Sequence, residues 1–292
     1  METSKKTTRV DIPHTHLQDV TLVGTLEQLA PEQPTHGRKI ALILHGTMGH
    51  KDYLFQKRLA QKLPLDSFRF DFRGAHESSG TWNYAGVGED VEDLRVVVAY
   101  LVREYGYVVD LVVGHSRGSV AGMYWLCTSE EGRRVGGMVN VSGRYRMDRV
   151  LQDRPPEWLA GLRDQGYFEW RVTVARKPLV VRITAQDMDA FARWDTSIVW
   201  ERFPARTDVL TVHGLRDMTV PAYDAFIYAR AFAARSPGTH NLHVVEEGDH
   251  NLTGHFDHVV ETVLDWWAAR ERDELRTGVW GTGERPGSAS KL

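Results

Sequence analysis

Short apolar runs recur along the chain, separated by longer stretches with helical spacing. Residues 40–44, 108–113, 135–141, 209–212 and 242–245 are such runs, the pattern expected of strands buried on both faces. Residues 68–72 read as a further strand, and 20–29 alternates like half of a hairpin. Residues 31–38 form a turn-rich connector. Between the strands, 88–104 predicts a helix with Val91, Leu94, Val98, Leu101 and Val102 on one face and Glu and Arg opposite. Further helices are expected at 119–127, 223–234 and 256–270. Alternating strands and helices of this kind imply an α/β fold, a mostly parallel central sheet flanked by helices.

The rhythm breaks at 144–206, which is rich in Trp, Arg and Asp and carries Pro155-Pro156. Its runs at 170–175 and 179–184, separated by Lys177-Pro178, predict a small hairpin. This segment is expected to be a cap inserted over the sheet, with Trp158, Tyr167, Phe168 and Trp194 as candidate substrate contacts. The chain then divides into an N-terminal extension (1–19), a core (20–143 and 207–272), the cap (144–206) and a flexible tail (273–292).

Every unusual motif lies at the end of a strand, where α/β sheets bind ligands. Gly114-His115-Ser116-Arg117-Gly118 follows the run 108–113 and precedes a helix. A serine on so sharp a turn exposes its Oγ, and the flanking glycines let the backbone approach closely. A hydroxyl at neutral pH needs a base, and the base needs a carboxylate to fix its tautomer. Downstream, the run 209–212 leads into His213-Gly214-Leu215-Arg216-Asp217, and 242–245 into Glu246-Glu247-Gly248-Asp249-His250. Ser116, Asp217 and His250 are thus the candidate nucleophile, acid and base, in the chain order Ser, Asp, His. His240, His243, His255 and His258 lack a loop position after the strand, Asp208 precedes its strand, and Asp224 lies in a helix. The backbone N–H groups of Thr47 and Arg117 are the candidate oxyanion donors, and His45 is expected to be a packed residue holding the first loop.

With these residues in place the chain resembles the α/β-hydrolase superfamily from Val20 to Arg270. His45-Gly46-Thr47-Met48-Gly49-His50-Lys51, Asp71-Phe72-Arg73-Gly74 and the Ser116 motif resemble the cinnamoyl/feruloyl-esterase-like branch in particular. The resemblance implies an α/β-hydrolase fold with a compact cap between the sixth strand and the acid-bearing strand. It also implies the triad and oxyanion roles just named. Two positions depart from the branch. Thr47 stands where an aromatic residue is common, and Arg117 where Gln or Met is. Both are expected to alter the pocket beside the scissile carbonyl, which argues against cinnamate esters as the substrate.

The 292 residues carry a formal net charge of −3, with 42% hydrophobic and 26% charged residues. That balance gives no reason to expect nucleic acid as a partner. No apolar stretch follows the polar start and no run spans a bilayer, so neither a secretory signal nor a membrane span is expected. The lone Cys127 precludes an intramolecular disulfide and suits a reducing compartment. His14-x-His16, in an N-terminus expected to be mobile, is too isolated to form a site, and no metal or cofactor motif is present. The last three residues, Ser290-Lys291-Leu292, spell the address read by the peroxisomal import receptor. The tail makes the chain resemble small fungal peroxisomal hydrolases, some of them in secondary-metabolite pathways. The expected activity is cleavage of a small-molecule carboxylic ester through an acyl-enzyme. An acyl-CoA thioesterase is the rival reading, and a non-catalytic binding protein on a hydrolase scaffold is the reading of another class.

Overall fold

A computed structural model describes residues 5–152 and 154–281. The final tripeptide Ser290-Lys291-Leu292 lies outside the described residues. The main sheet has nine strands: β1 (Lys6–Pro13), β2 (Thr21–Gln28), β3 (Lys39–Leu44), β4 (Asp66–Phe70), β5 (Val108–His115), β6 (Gly137–Val141), β9 (Asp208–Gly214), β10 (His240–Val245) and β11 (Gly278–Gly281). A separate ribbon pairs β7 (Tyr167–Val174) with β8 (Lys177–Thr184). The spatial order of the main sheet is β1-β2-β4-β3-β5-β6-β9-β10-β11. From β4 to β11 every pairing is parallel, while β1–β2 and β2–β4 are antiparallel.

The continuous apolar runs have a direct cause: both faces of the sheet are covered. On β3, Ile40, Leu42 and Leu44 join the core beneath α2 (Val87–Tyr105), α3 (Arg117–Thr128) and α7 (Tyr223–Phe232). Ala41 and Ile43 face the opposite core, which is built on α1 (Gln56–Lys62) and α8 (Phe256–Glu271). In α2, Val91, Leu94, Val98 and Leu101 are buried as predicted, but Val102, on the flank of that stripe, is exposed. Gly106, with φ 71°, ends the helix in the left-handed conformation.

Three boundaries differ from the sequence reading. Within the expected extension 1–19, Lys6–Pro13 is an ordered strand, since β1 pairs along its whole length with β2. Its alternation buries Val10 and Ile12 while Arg9 and Asp11 face out. His14 is buried against the Arg73–Asp93 ion pair. The tail does not begin at 273, since Leu275 is buried and β11 adds a last strand beside β10. In the ribbon, the turn is Ala175-Arg176, both at positive φ, and Pro178 lies inside β8 opposite Thr173. A two-residue turn with both φ positive matches the twist of a hairpin, and every strand of a two-stranded ribbon is an edge that tolerates proline.

The segment between β6 and β9 contains this ribbon with α4 (Pro156–Gln165), α5 (Ala185–Ala192) and α6 (Ile198–Arg202). It lies over the rim where β3, β5, β6, β9 and β10 end, and its residues form part of the wall of a cavity there. No helix among the described residues is long and apolar enough to cross a membrane.

Candidate active site

Only Ser116 separates β5 from α3. Its backbone is held at φ 52° and ψ −119°, a conformation that costs a non-glycine residue about 1–3 kcal/mol. Its own N–H donates to Val141 O at 2.8 Å, which anchors the turn. The neighbouring glycines are required by contact distance. A Cβ at position 114 would fall 2.5 Å from the backbone of Ser119, and one at 118 would fall 2.5 Å from His45 O.

The three side chains nominated from sequence converge. Ser116 Oγ–H donates to His250 Nε2 at 3.0 Å, and His250 Nδ1–H donates to Asp217 Oδ2 at 2.8 Å. Asp217 is buried at the end of β9, where Oδ1 accepts from Thr219 N and Val220 N at 2.8 and 2.7 Å. Its Oδ2 also lies 3.3 Å from His213 Nε2. Burial alone would raise its pKa. The hydrogen bonds from His213 and His250 and the charges of those rings outweigh burial and hold the carboxyl well below the usual carboxylate range. Asp217 therefore stays ionised and selects the imidazole tautomer that leaves Nε2 free to take a proton.

The Thr47 and Arg117 amides line the same cavity as Ser116 and His250. Neither N–H has a protein acceptor among the described residues. Arg117 opens α3, so its N–H belongs to the unsatisfied, positive end of that helix. His45 is the packed residue expected. Its Nδ1–H donates to Gly46 O at 2.8 Å, its Nε2 accepts from Phe72 N at 3.1 Å, and burial lowers its pKa. It clamps the Thr47 loop onto the end of β4.

The alternatives stay apart from Ser116. His240 Nε2 lies 3.0 Å from Thr211 Oγ1, and His243 Nε2 lies 2.7 Å from His258 Nε2. His255 caps α8. Asp224 is bound to Arg146 at 2.5 Å, and Asp208 accepts from Thr239. Asp71, His76 and Glu77 place three possible metal ligands together, but the Lys51 ammonium already bridges the two carboxylates where a cation would stand.

The cavity has a volume of about 550 Å³, and among the described residues none that lines it is an Asp or Glu. Its lining from the cap includes Trp158, Trp170, Val172, Thr173 and Phe191. Of the candidate cap contacts, Trp158 alone lines it. Phe168 lies beneath Trp158 with ring centroids 4.3 Å apart, Tyr167 carries Arg182 on its face, and Trp194 packs on Tyr124. Arg117 lines the cavity, but its guanidinium is not free there: the side chain is buried, paired with Asp90, and donates to Asn83 O and Tyr84 O at 2.9 and 2.7 Å.

The sequence profile of the Alpha/beta hydrolase family matches residues 41–266. The chain belongs to that family. A yeast relative, the uncharacterized protein YDL057W of Saccharomyces cerevisiae, is 28% identical over 245 residues, covering 74% of this chain and 69% of the relative. Est1E from Butyrivibrio proteoclasticus, solved with ferulic acid bound, superposes with a TM-score of 0.68 at 15% identity, covering 90% of this chain and 99% of Est1E. The esterase domain of a Rhodothermus marinus protein gives 0.60 at 21% identity, with coverage of 91% and 98%. These likenesses show the fold.

Several residues of this alpha/beta hydrolase site went unnoticed in the sequence. His115 is fully enclosed, its Nε2–H donates to His250 O at 3.0 Å, and burial pushes its pKa down to about 3. This neutral ring ties the His250 loop to the Ser116 turn. His213 braces Asp217 and donates to Val220 O at 2.9 Å. Both histidines stand inside the quoted motifs, so position was the available signal. Arg144 and Arg154 line the cavity as well. Their signal was weaker: Arg144 follows Ser142-Gly143 at the end of β6, one of the strand ends where chemistry gathers.

Proposed function

We propose that this alpha/beta hydrolase is a serine esterase. The observation that carries the reading is the continuous hydrogen-bond chain Ser116–His250–Asp217, opening on a cavity beside two backbone N–H groups that have no protein acceptor among the described residues. Ser116 Oγ attacks the ester carbonyl while its proton passes to His250 Nε2. The new oxyanion lies toward the N–H groups of Thr47 and Arg117, and one such donor is worth about 3–4 kcal/mol to the transition state. As the C–O bond breaks, His250 returns the proton to the leaving alkoxide and an acyl-Ser116 ester remains. A water deprotonated by His250 then attacks the acyl carbon, releases the acid and restores the serine.

The likeness to an esterase domain and to Est1E, which binds ferulic acid, supports an ester substrate. The apolar wall of Trp158, Trp170, Val172 and Phe191 supports an apolar body on it. A pure binding protein would not need a strained hydroxyl aligned on an imidazole, and thioester cleavage would use the same three groups. Rapid mixing with a p-nitrophenyl ester tests the reading. A burst of nitrophenol stoichiometric with enzyme, followed by slower turnover, is the expected result. Nitrophenol release by Ser116→Ala at the wild-type rate contradicts it. We propose further that Ser290-Lys291-Leu292 directs import into peroxisomes. An N-terminally tagged fluorescent fusion should be punctate with the tripeptide and diffuse without it; diffuse fluorescence in both would refute the address.

A further inference from the structure

Three arginines line the active-site cavity, and they differ in their partners. Arg117 is neutralised by Asp90. Arg144 is 6% exposed and has no carboxylate partner among the described residues; one of its nitrogens donates to Thr219 O, beside the loop that holds Asp217. Arg154 is half-buried and also lacks a carboxylate partner; its Nε donates to Val150 O at 2.5 Å, and its guanidinium lies 5.9 Å from the Trp158 ring. Several cap arginines outside the cavity have acids close by: Arg146 with Asp224, Arg149 with Asp148, Arg163 with Asp164, Arg171 with Glu169, and Arg193 with Asp189.

A buried guanidinium without a counter-charge is costly. Burial pushes Arg144 down from its usual value and the like charge of Arg154 adds to the push, while the charges of Asp224 and Asp217 only partly offset it. The two cations thus share one cavity, and its lining among the described residues includes no Asp or Glu. An anion bound there would receive charge-assisted hydrogen bonds from guanidinium nitrogens that have no protein acceptor among the described residues. Trp158, Trp170 and Phe191 would hold an apolar portion beside it.

We infer that Arg144 and Arg154 are specificity residues, and that the ester cleaved at Ser116 carries an anionic group elsewhere on the molecule. The inference deepens the esterase reading and rests on it for the position of the scissile bond. The anionic group is a carboxylate or a phosphate, and two matched substrate pairs separate these sources. One pair is p-nitrophenyl hemiglutarate against neutral p-nitrophenyl valerate. The other is butyryl-CoA against the neutral thioester S-butyryl-N-acetylcysteamine.

The expected result is a kcat/KM ratio of charged to neutral substrate of about 10- to 100-fold in one pair, the span of a charge-assisted hydrogen bond. A high ratio in the first pair assigns a carboxylate, and in the second a phosphate. Arg144→Gln and Arg154→Gln should each bring that ratio back toward one; if the buried Arg144 variant fails to fold, Arg154→Gln carries the test. Ratios near or below one in both pairs, or ratios unmoved by the variants, overturn the inference.

Binding provides a readout independent of chemistry. In Ser116→Ala, quenching of Trp158 and Trp170 fluorescence should show the favoured charged substrate binding more tightly than its neutral partner. Equal affinities with normal Ser116-dependent turnover would sink the arginine assignment alone. Tighter anion binding with no Ser116-dependent turnover would sink the esterase reading alone.

Discussion

At the scale of single residues, the account is one of proton position. Ser116→Ala removes the nucleophile and should lower kcat about a million-fold if the three groups act as a unit. Asp217→Asn keeps the shape but favours the wrong imidazole tautomer, and should lower kcat about ten-thousand-fold; steady-state assays with a p-nitrophenyl ester check both. Because the Asp217 carboxyl is held below the usual range, it remains ionised through the mildly acidic region and does not set the acid limb of the rate profile. The three side chains were legible in sequence because each follows a strand end in the right order. His115, His213 and Arg144 were not, because their roles depend on what packs against them in space. No spacing rule distinguishes a histidine that donates to a neighbouring carbonyl from one that fills a core.

At the scale of elements, the Ser116 turn is held by the contact of α2 with α3. Arg117 on α3 reaches Asp90 on α2, with both side chains nearly inaccessible to water. Asp90→Ala would strand a buried cation, and should cost about 3–5 kcal/mol in chemical denaturation. The double variant Asp90→Leu with Arg117→Met should recover most of that loss, because an apolar pair of similar size is often neutral in place of a buried ion pair. If the double variant is as unstable as the single, the contact is more than a compensated charge pair. Elements with long apolar runs or clear helical spacing were legible in sequence. Those that were missed are short and depend on pairing. α1 spans only 56–62, and β1 reads as a polar start until Val10 and Ile12 find β2 beside them.

At the scale of the whole molecule, enclosed histidines make stability depend on pH. Burial pushes His115 and His240 down to about 3 and His243 down to about 4. Each folded value lies below the unfolded value, so between about pH 6.5 and these values the unfolded chain binds more protons. Stability therefore rises with pH across that window and is lost as pH falls through it, by up to roughly 1.4 kcal/mol per pH unit for each histidine. Thermal melts should show a falling Tm from pH 7 to pH 5, and His240→Gln should make the slope shallower. A slope unchanged by that substitution would show that His240 charges without unfolding. The fold class was legible in the chain as a whole because alternation of strand and helix is a global pattern. The unpaired charge of the cavity was not, since counting cap arginines does not show which of them lack an acid.

The most direct test of the central claim is mass mapping of the protein after reaction with a fluorophosphonate. The account predicts one adduct per chain, on the peptide containing Ser116, absent in Ser116→Ala and strongly slowed in His250→Ala. An unmodified Ser116 in folded protein, or a label that forms on another residue at the same rate in Ser116→Ala, would contradict it.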